Sequence, residues 1–275
     1  MDRIIAKIIG QAINLIAYVS PRYSAKLALS LFATPRGGTI LDDQKSFLST
    51  AEQDRLEYDD MAIMTYKWPG SKEMILMMHG WESNSFRWEP LIRRLQEEHY
   101  GVIALDAPAH GQSGSKVFNA ILYAEFINVI ADRFNPDIMI GHSVGGMASV
   151  FYQHKYKNPN LDKMILLGAP AHFSGVLLRY VEMMGYNIGV HKGMVDLIVE
   201  RFGNPPDYYS AAEFTSELSA DGLIIHDELD QIIPYEDALL YHRHFRNSKL
   251  ITTSGLGHGL RDSVINNAII EFILG

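Results

Sequence analysis

Residues 138–145 read Ile-Met-Ile-Gly-His-Ser-Val-Gly, an apolar run that leads directly into Gly-His-Ser-Val-Gly at 141–145. The pattern predicts a buried strand, a tight turn at Ser143 and a helix immediately after it. A Gly-x-Ser-x-Gly between a strand and a helix is typical of a nucleophile elbow, in which the serine hydroxyl stands clear of the sheet. Gly141 and Gly145 then leave room for the neighbouring strand and helix. An ordinary strand-to-helix turn is the alternative interpretation.

Two further side chains complete the chemistry that such a serine needs. A serine hydroxyl is a weak nucleophile unless a histidine accepts its proton and an acid orients that histidine. Asp230 lies in the loop after the apolar run 223–225, and His258 lies in a glycine-rich loop after the run 249–253. Because ligands bind at the carboxyl edge of parallel strands, we expect Ser143, Asp230 and His258 to meet there.

The acid is chosen among three neighbouring carboxylates. Asp227 and Glu228 lie in the same loop as Asp230 and compete with it. Asp230 is preferred because it lies four residues after His226 and four residues before Pro234, which leads into the next predicted helix.

An oxyanion site is expected beside the serine. The apolar run 74–78 leads into His-Gly-Trp at 79–81, a loop whose main chain can approach the serine closely at Gly80. Backbone N–H groups near Trp81 and at Val144 are the predicted oxyanion donors. The Trp81 ring either forms a wall of an acyl pocket or packs in the core.

These motifs together resemble those of α/β-hydrolase-fold proteins, the broad superfamily of esterases, lipases and acyl hydrolases. The resemblance covers roughly residues 60–275 and is carried, in chain order, by His-Gly at 79–80, Asp-Ala-Pro-Ala-His-Gly-Gln-Ser at 106–113, the elbow at 141–145, Asp230 and His258. It implies a doubly wound, mainly parallel sheet with a small helical cap over the active site.

The predicted organisation is an N-terminal helical extension followed by one α/β domain. Regular alternation of strands and helices begins near residue 62, which indicates a mainly parallel sheet covered on both faces. We therefore predict an extension over 1–58 and an α/β-hydrolase domain over 59–275. The alternation pauses at about 171–217, an apolar helical stretch that we predict to be the cap.

Residues 3–19 have the periodicity of an amphipathic helix, with a broad apolar face and a polar stripe that holds Arg3, Lys7, Gln11, Asn14 and Tyr18. Three interpretations remain open: a helix packed on the protein body, a lid or weakly membrane-associated surface helix, and a signal peptide. The stretch is too short and too polar to span a bilayer. The expected location is cytoplasmic, either free or peripheral to a membrane.

Composition narrows the function classes. The formal net charge of −8 offers no electrostatic footprint for nucleic acid. The chain has no cysteine, which excludes disulfides, thiolate metal sites and a cysteine nucleophile. No pair of histidines has a convincing metal-ligand context, so we expect neither a metal nor a cofactor. A small molecule with an apolar acyl group is the expected partner, and the oligomeric state stays open.

The preferred function is that of a serine hydrolase which cleaves a carboxylic ester or thioester through an acyl-enzyme intermediate. Two alternatives keep the same fold: a ligand-binding or receptor-like protein, and a lyase or acyl-transfer enzyme. They remain open because a fold does not dictate a function.

Overall fold

The apolar runs beyond residue 73 form parallel strands in the computed structural model, which describes residues 3–275. Within these residues eight strands form one sheet: β1 (Glu52–Tyr58), β2 (Met61–Trp68), β3 (Met74–Met78), β4 (Gly101–Leu105), β5 (Ile138–His142), β6 (Lys163–Leu167), β7 (Asp221–Asp227) and β8 (Ser248–Thr253). Their order in the sheet is β1-β2-β4-β3-β5-β6-β7-β8. The β2 strand runs antiparallel to β1 and β4, and every other pair of neighbours is parallel.

Helices connect the strands and lie on both sides of the sheet. In chain order the α-helices of residues 3–275 are α1 (Arg3–Ala17), α2 (Pro21–Ala33), α3 (Asp42–Leu48), α4 (Glu89–Glu97), α5 (Ala120–Phe134), α6 (Val144–Tyr156), α7 (Phe173–Met184), α8 (Ile188–Phe202), α9 (Ala211–Phe214), α10 (Tyr235–His244) and α11 (Ser263–Leu274). None of these helices combines the length and hydrophobicity that crossing a bilayer requires.

The central strands explain the strength of the sequence signal. In β3 the side chains of Ile75, Leu76, Met77 and Met78 are fully buried. A strand that is covered on both faces is apolar at every position rather than at alternate ones. The predicted α/β fold with a doubly wound, mainly parallel sheet is confirmed.

The domain boundaries differ from the predicted ones. The chain divides into a helical unit, formed by residues up to Thr34 together with His172–Ser210, and a sheet unit, formed by Pro35–Ala171 and Ala211–Gly275. The predicted extension over 1–58 is therefore split, and its last residues form β1 at the sheet edge. This strand reads Glu-Gln-Asp-Arg-Leu-Glu-Tyr and is largely exposed, so it has no apolar alternation that would reveal it.

The helical unit consists of α1, α2, α7 and α8 packed around a core of its own. The α1 helix uses its small and polar side for this packing. A Cβ atom on Gly10 would lie 1.8 Å from the carbonyl oxygen of Met184. One turn further, the Asn14 side chain donates to the carbonyl of Gly185 at 2.9 Å and accepts from the N–H of Asn187 at 2.9 Å. So close an approach of the two backbones requires glycine at position 10.

Replacing Gly10 with alanine is expected to lower the free energy of unfolding by about 2–3 kcal/mol, because the added methyl group overlaps a backbone oxygen that cannot rotate away. Urea unfolding followed by circular dichroism measures the change. The control is Ala12→Leu, which adds a larger side chain on the exposed face of the same helix. It should stay within about 0.5 kcal/mol of the parent. Equal stability of the two variants would contradict the packing described.

Candidate active site

Ser143 occupies a strained turn between β5 and α6. Its backbone angles are φ 53° and ψ −127°, a conformation that side chains with a Cβ atom rarely adopt. The flanking glycines permit the turn. A Cβ on Gly141 would lie 2.4 Å from the Cα of Gly146, and a Cβ on Gly145 would lie 2.4 Å from the carbonyl oxygen of Met78. The serine hydroxyl is thereby lifted from the carboxyl edge of the sheet.

Three side chains predicted from the sequence form one hydrogen-bonded series. The Nε2 atom of His258 lies 3.0 Å from the hydroxyl oxygen of Ser143, and its Nδ1 atom lies 2.7 Å from a carboxylate oxygen of Asp230. A carboxylate can only accept, so Nδ1–H of His258 donates to Asp230. In the neutral form of this ring, Nε2 carries no proton and can accept that of the serine. The Asp230 side chain is 1% exposed, which shields this arrangement from water.

The environment of Asp230 favours its ionised form. Burial alone would raise the pKa of this carboxyl, but hydrogen bonds from His226 and His258 and from the N–H groups of Ile232 and Ile233 hold the pKa well below its ordinary value. The two N–H groups lie 2.8 and 3.1 Å from one carboxylate oxygen. Asp230 is therefore a charged acceptor at neutral pH, which can stabilise a positively charged His258.

This depressed pKa predicts acid sensitivity. Asp230 has a lower pKa folded than unfolded, so it contributes stability above its unfolded pKa of about 3.9, and that contribution is lost as the pH falls through the folded pKa. As the pH is lowered below about 4, we expect the urea concentration at the unfolding midpoint of the parent protein to decrease. The decrease should be smaller in Asp230→Asn. Urea titrations at several pH values compare the two slopes. Identical slopes would show that Asp230 is not held in its charged form.

The competing acids have other positions. Asp227 is buried, and it accepts hydrogen bonds from the Thr253 hydroxyl at 2.9 Å and from the N–H of Leu256 at 2.8 Å. These contacts tie the loop after β7 to the loop after β8. Glu228 is exposed to solvent. Of the three neighbouring carboxylates, Asp230 is the one that contacts the ring of His258.

The predicted oxyanion donors lie beside the serine. A Cβ on Gly80 would lie 2.9 Å from the Cβ of Ser143, so this loop passes directly over the nucleophile position. Within residues 3–275 the backbone N–H groups of Trp81 and Val144 donate to no acceptor. The Trp81 ring is half-buried and packs edge-on against Phe118, with the ring centres 5.2 Å apart.

Two neutral histidines hold this loop. Nε2 of His79 accepts from the N–H of Ala107 at 2.9 Å, and its Nδ1 lies 2.8 Å from the carbonyl of Gly80, to which it donates. Burial lowers the pKa of His79 to about 3, so the ring stays neutral. His110 accepts in the same way from the N–H of Glu82 at 2.9 Å. The loop is thus fixed by side chains whose protonation does not change near neutral pH.

A half-buried arginine, not expected from the sequence, supports the loop of His258. The Arg87 guanidinium lies 2.9 Å from Nδ1 of His142 and donates to the carbonyl of Gly259 at 3.0 Å. A guanidinium only donates, so Nδ1 of His142 accepts, and its Nε2–H donates to the carbonyl of His258 at 2.9 Å. Burial, and then the Arg87 charge, lower the pKa of His142 well below its ordinary value.

Comparison with known proteins identifies the family. Residues 73–186 match a family model described as alpha/beta hydrolase fold, and residues 206–275 match one described as TAP-like protein. A non-heme haloperoxidase from Rhodococcus erythropolis is 31% identical over 259 residues, which cover 76% of this chain and 94% of the relative. The chain belongs to the alpha/beta hydrolase superfamily. The predicted family is thereby confirmed.

Other members of the superfamily extend this similarity. The chain is 23% identical to a bifunctional esterase/perhydrolase from Acinetobacter calcoaceticus over 78% of its own length and 97% of the relative. An esterase structure from Exiguobacterium antarcticum superposes with a TM-score of 0.63 at 19% identity, covering 82% of this chain and all of the other. A bromoperoxidase structure from Bacillus anthracis gives 0.64 at 18% identity, with the same coverage. The two structures share the fold of this chain.

No group of three or more His, Asp or Glu side chains in residues 3–275 is arranged to hold a metal ion. The polar groups at the site described are a serine hydroxyl, a histidine ring, a carboxylate and two backbone N–H groups.

Proposed function

We propose that this alpha/beta hydrolase cleaves a carboxylic ester or thioester through a covalent acyl-serine. The observation that carries the proposal is the continuous series from the Ser143 hydroxyl through His258 to Asp230, with distances of 3.0 and 2.7 Å. Each member can take the part that this chemistry requires: the hydroxyl can lose its proton, the ring in its neutral form can accept that proton, and the carboxylate can orient the ring.

In the first half of the reaction the Ser143 oxygen attacks the substrate carbonyl while Nε2 of His258 takes the hydroxyl proton. Negative charge that develops on the carbonyl oxygen is stabilised by the backbone N–H groups of Trp81 and Val144. The bond to the alcohol or thiol then breaks, and His258 returns the proton to the leaving group.

In the second half, water enters and His258 takes one of its protons. The hydroxide equivalent attacks the acyl carbonyl, the bond to the Ser143 oxygen breaks, and His258 returns the proton to that oxygen. Asp230 stabilises the positively charged ring during both halves. The products are a free acid and the regenerated enzyme.

The substrate is proposed to be a small molecule with an apolar acyl group. The half-buried Trp81 ring belongs to the proposed oxyanion loop and packs against the buried ring of Phe118, which makes this part of the loop apolar. Relatives of the chain are named as an esterase/perhydrolase and as a pimeloyl-carrier-protein methyl ester esterase, and a structural neighbour as a thioesterase domain. These names support acyl compounds as the substrate class.

Hydrolysis of a series of p-nitrophenyl esters, from acetyl to long acyl chains, tests the proposal, and matched thioesters distinguish the two leaving groups. We expect turnover that releases free acid and a preference for one chain length, which Trp81→Ala should shift. A fluorophosphonate probe should label the parent protein at Ser143. Failure of both turnover and labelling would contradict a serine hydrolase, and turnover without free acid would favour the lyase or acyl-transfer alternative.

Arg87 is proposed to be a positioning residue that acts through His142 on the loop of His258. Replacing Arg87 with methionine should lower kcat about 10- to 100-fold, because a small displacement of a reacting group is costly. KM should change much less, since Arg87 is not proposed to touch substrate. Arg87→Lys keeps the charge and donors and should lose less activity. The positioning role would be contradicted if KM rose by as large a factor as kcat fell. It would also be contradicted if Arg87→Lys were no more active than Arg87→Met.

A further inference from the structure

The α1 helix exposes large aliphatic side chains on the side that points away from the core of the helical unit. The buried residues of the helix are Ala6, Gly10, Ile13 and Asn14, whereas further aliphatic side chains point to solvent along the helix and the turn that follows it. The exposed fractions are 52% for Ile5, 64% for Ile8, 68% for Leu15 and 89% for Val19. A contiguous apolar face of this kind marks a surface that another body covers.

The edge of this face has the composition of an interfacial helix. Lys7, Gln11 and Tyr18 follow one another at helical spacing on one side of the aliphatic stripe. All three are exposed, and Tyr18 is 84% exposed. Lysine and tyrosine at the border of an apolar stripe place charge and hydroxyl groups at the level of lipid headgroups while the stripe itself enters the acyl boundary.

Charge is distributed unevenly between the two units. The helical unit, counted over its described residues, holds seven Lys and Arg against four Asp and Glu, whereas the sheet unit holds 17 against 27. Residues 3–34 contain four basic and no acidic side chains. Within the described part of the chain, Lys7 and Lys26 are exposed and join no ion pair. The apolar face of α1 therefore belongs to a unit with a net positive charge, although the net charge of the whole protein is negative.

We propose that the helical unit docks on membrane surfaces that contain anionic lipids. Ile5, Ile8, Leu15 and Val19 enter the boundary between headgroups and acyl chains, and Lys7 remains at the level of the phosphates. A second copy of the chain is the competing occupant of the face. A symmetric contact would bring the same positively charged surfaces together, whereas anionic lipid complements both the charge and the hydrophobicity.

Flotation of the full chain with lipid vesicles tests the proposal. Vesicles of phosphatidylcholine alone are compared with vesicles of phosphatidylcholine and phosphatidylglycerol, at low and high salt. We expect binding to the anionic vesicles that weakens with salt. The double variant Ile8→Gln, Leu15→Gln should lose at least about tenfold in binding, and Lys7→Gln about fivefold at low salt. Ester hydrolysis in solution should be unchanged in these variants.

The matched control is Val264→Gln, Leu274→Gln in α11, where the exposed fractions of the two side chains are 62% and 55%. It removes a similar amount of exposed apolar surface and should bind vesicles like the parent. Equal binding to neutral and anionic vesicles, no binding, or equal loss in the control would overturn the proposal. So would a dimer in sedimentation velocity that the α1 double variant abolishes, because a second copy would then cover the face.

Discussion

Replacing Ser143 with alanine is expected to lower kcat/KM for ester hydrolysis by at least about four orders of magnitude. The variant removes the only oxygen that lies within hydrogen-bond reach of Nε2 of His258 in the described residues. Without it no acyl-enzyme can form, and catalysis falls back on substrate binding and the oxyanion donors. Steady-state kinetics with the preferred p-nitrophenyl ester measure the loss.

Alanine keeps the Cβ atom at this strained position, so the free energy of unfolding should stay within about 1 kcal/mol of the parent. Stability and activity are thereby separated in one variant. Labelling by fluorophosphonate should disappear together with turnover. If the alanine variant retains its activity, the acyl-serine mechanism is wrong, whatever the distances between the three side chains.

The second large effect is expected in Asp230→Asn, which should lower kcat by about 10³- to 10⁴-fold with little change in KM. The new amide can donate to Nδ1 of His258, which favours the tautomer whose Nε2 already carries a proton. That ring cannot accept from Ser143. The lost carboxylate also no longer stabilises the charged ring, so both effects act on the same step.

Asp227→Asn is the matched control because the two carboxylates lie three residues apart and are both buried. Asp227 accepts hydrogen bonds from Thr253 and Leu256, which connect the end of β7 to the end of β8 and the loop after it. Asp227 does not contact His258. Its amide variant should keep kcat within about tenfold, while losing about 1–3 kcal/mol of stability through backbone donors that are left unsatisfied. Reversed results for the two variants would identify Asp227 as the acid.

The sequence was most informative where the structure depends on residues that are close together in the chain. The elbow is recognisable because a tight turn needs Gly141 and Gly145, and these glycines surround the serine in the chain. Asp230 and His258 follow apolar strands, and the ends of parallel strands converge on one edge. Chain order and strand pattern were therefore enough to predict which side chains lie together.

The parts that could not be predicted depend on contacts between distant segments. Arg87 lies in a charged stretch before α4 and reads as a surface residue, because nothing near it in the chain reveals that His142 and Gly259 contact it. The packing of α1 against residues 172–210 could not be predicted from the sequence either. It depends on Gly10 and Asn14, which periodicity alone does not assign to the packing face.

The backbone conformation at Ser143 also bears on the function of this residue. A side chain at φ 53° and ψ −127° costs about 1–3 kcal/mol relative to an unstrained residue, and glycine would avoid most of that cost. A chain optimised only for stability would carry glycine at this position. The strained serine therefore lowers the stability of the folded protein, and strain of this kind is typical of functional sites, an argument that uses no distance to any other side chain.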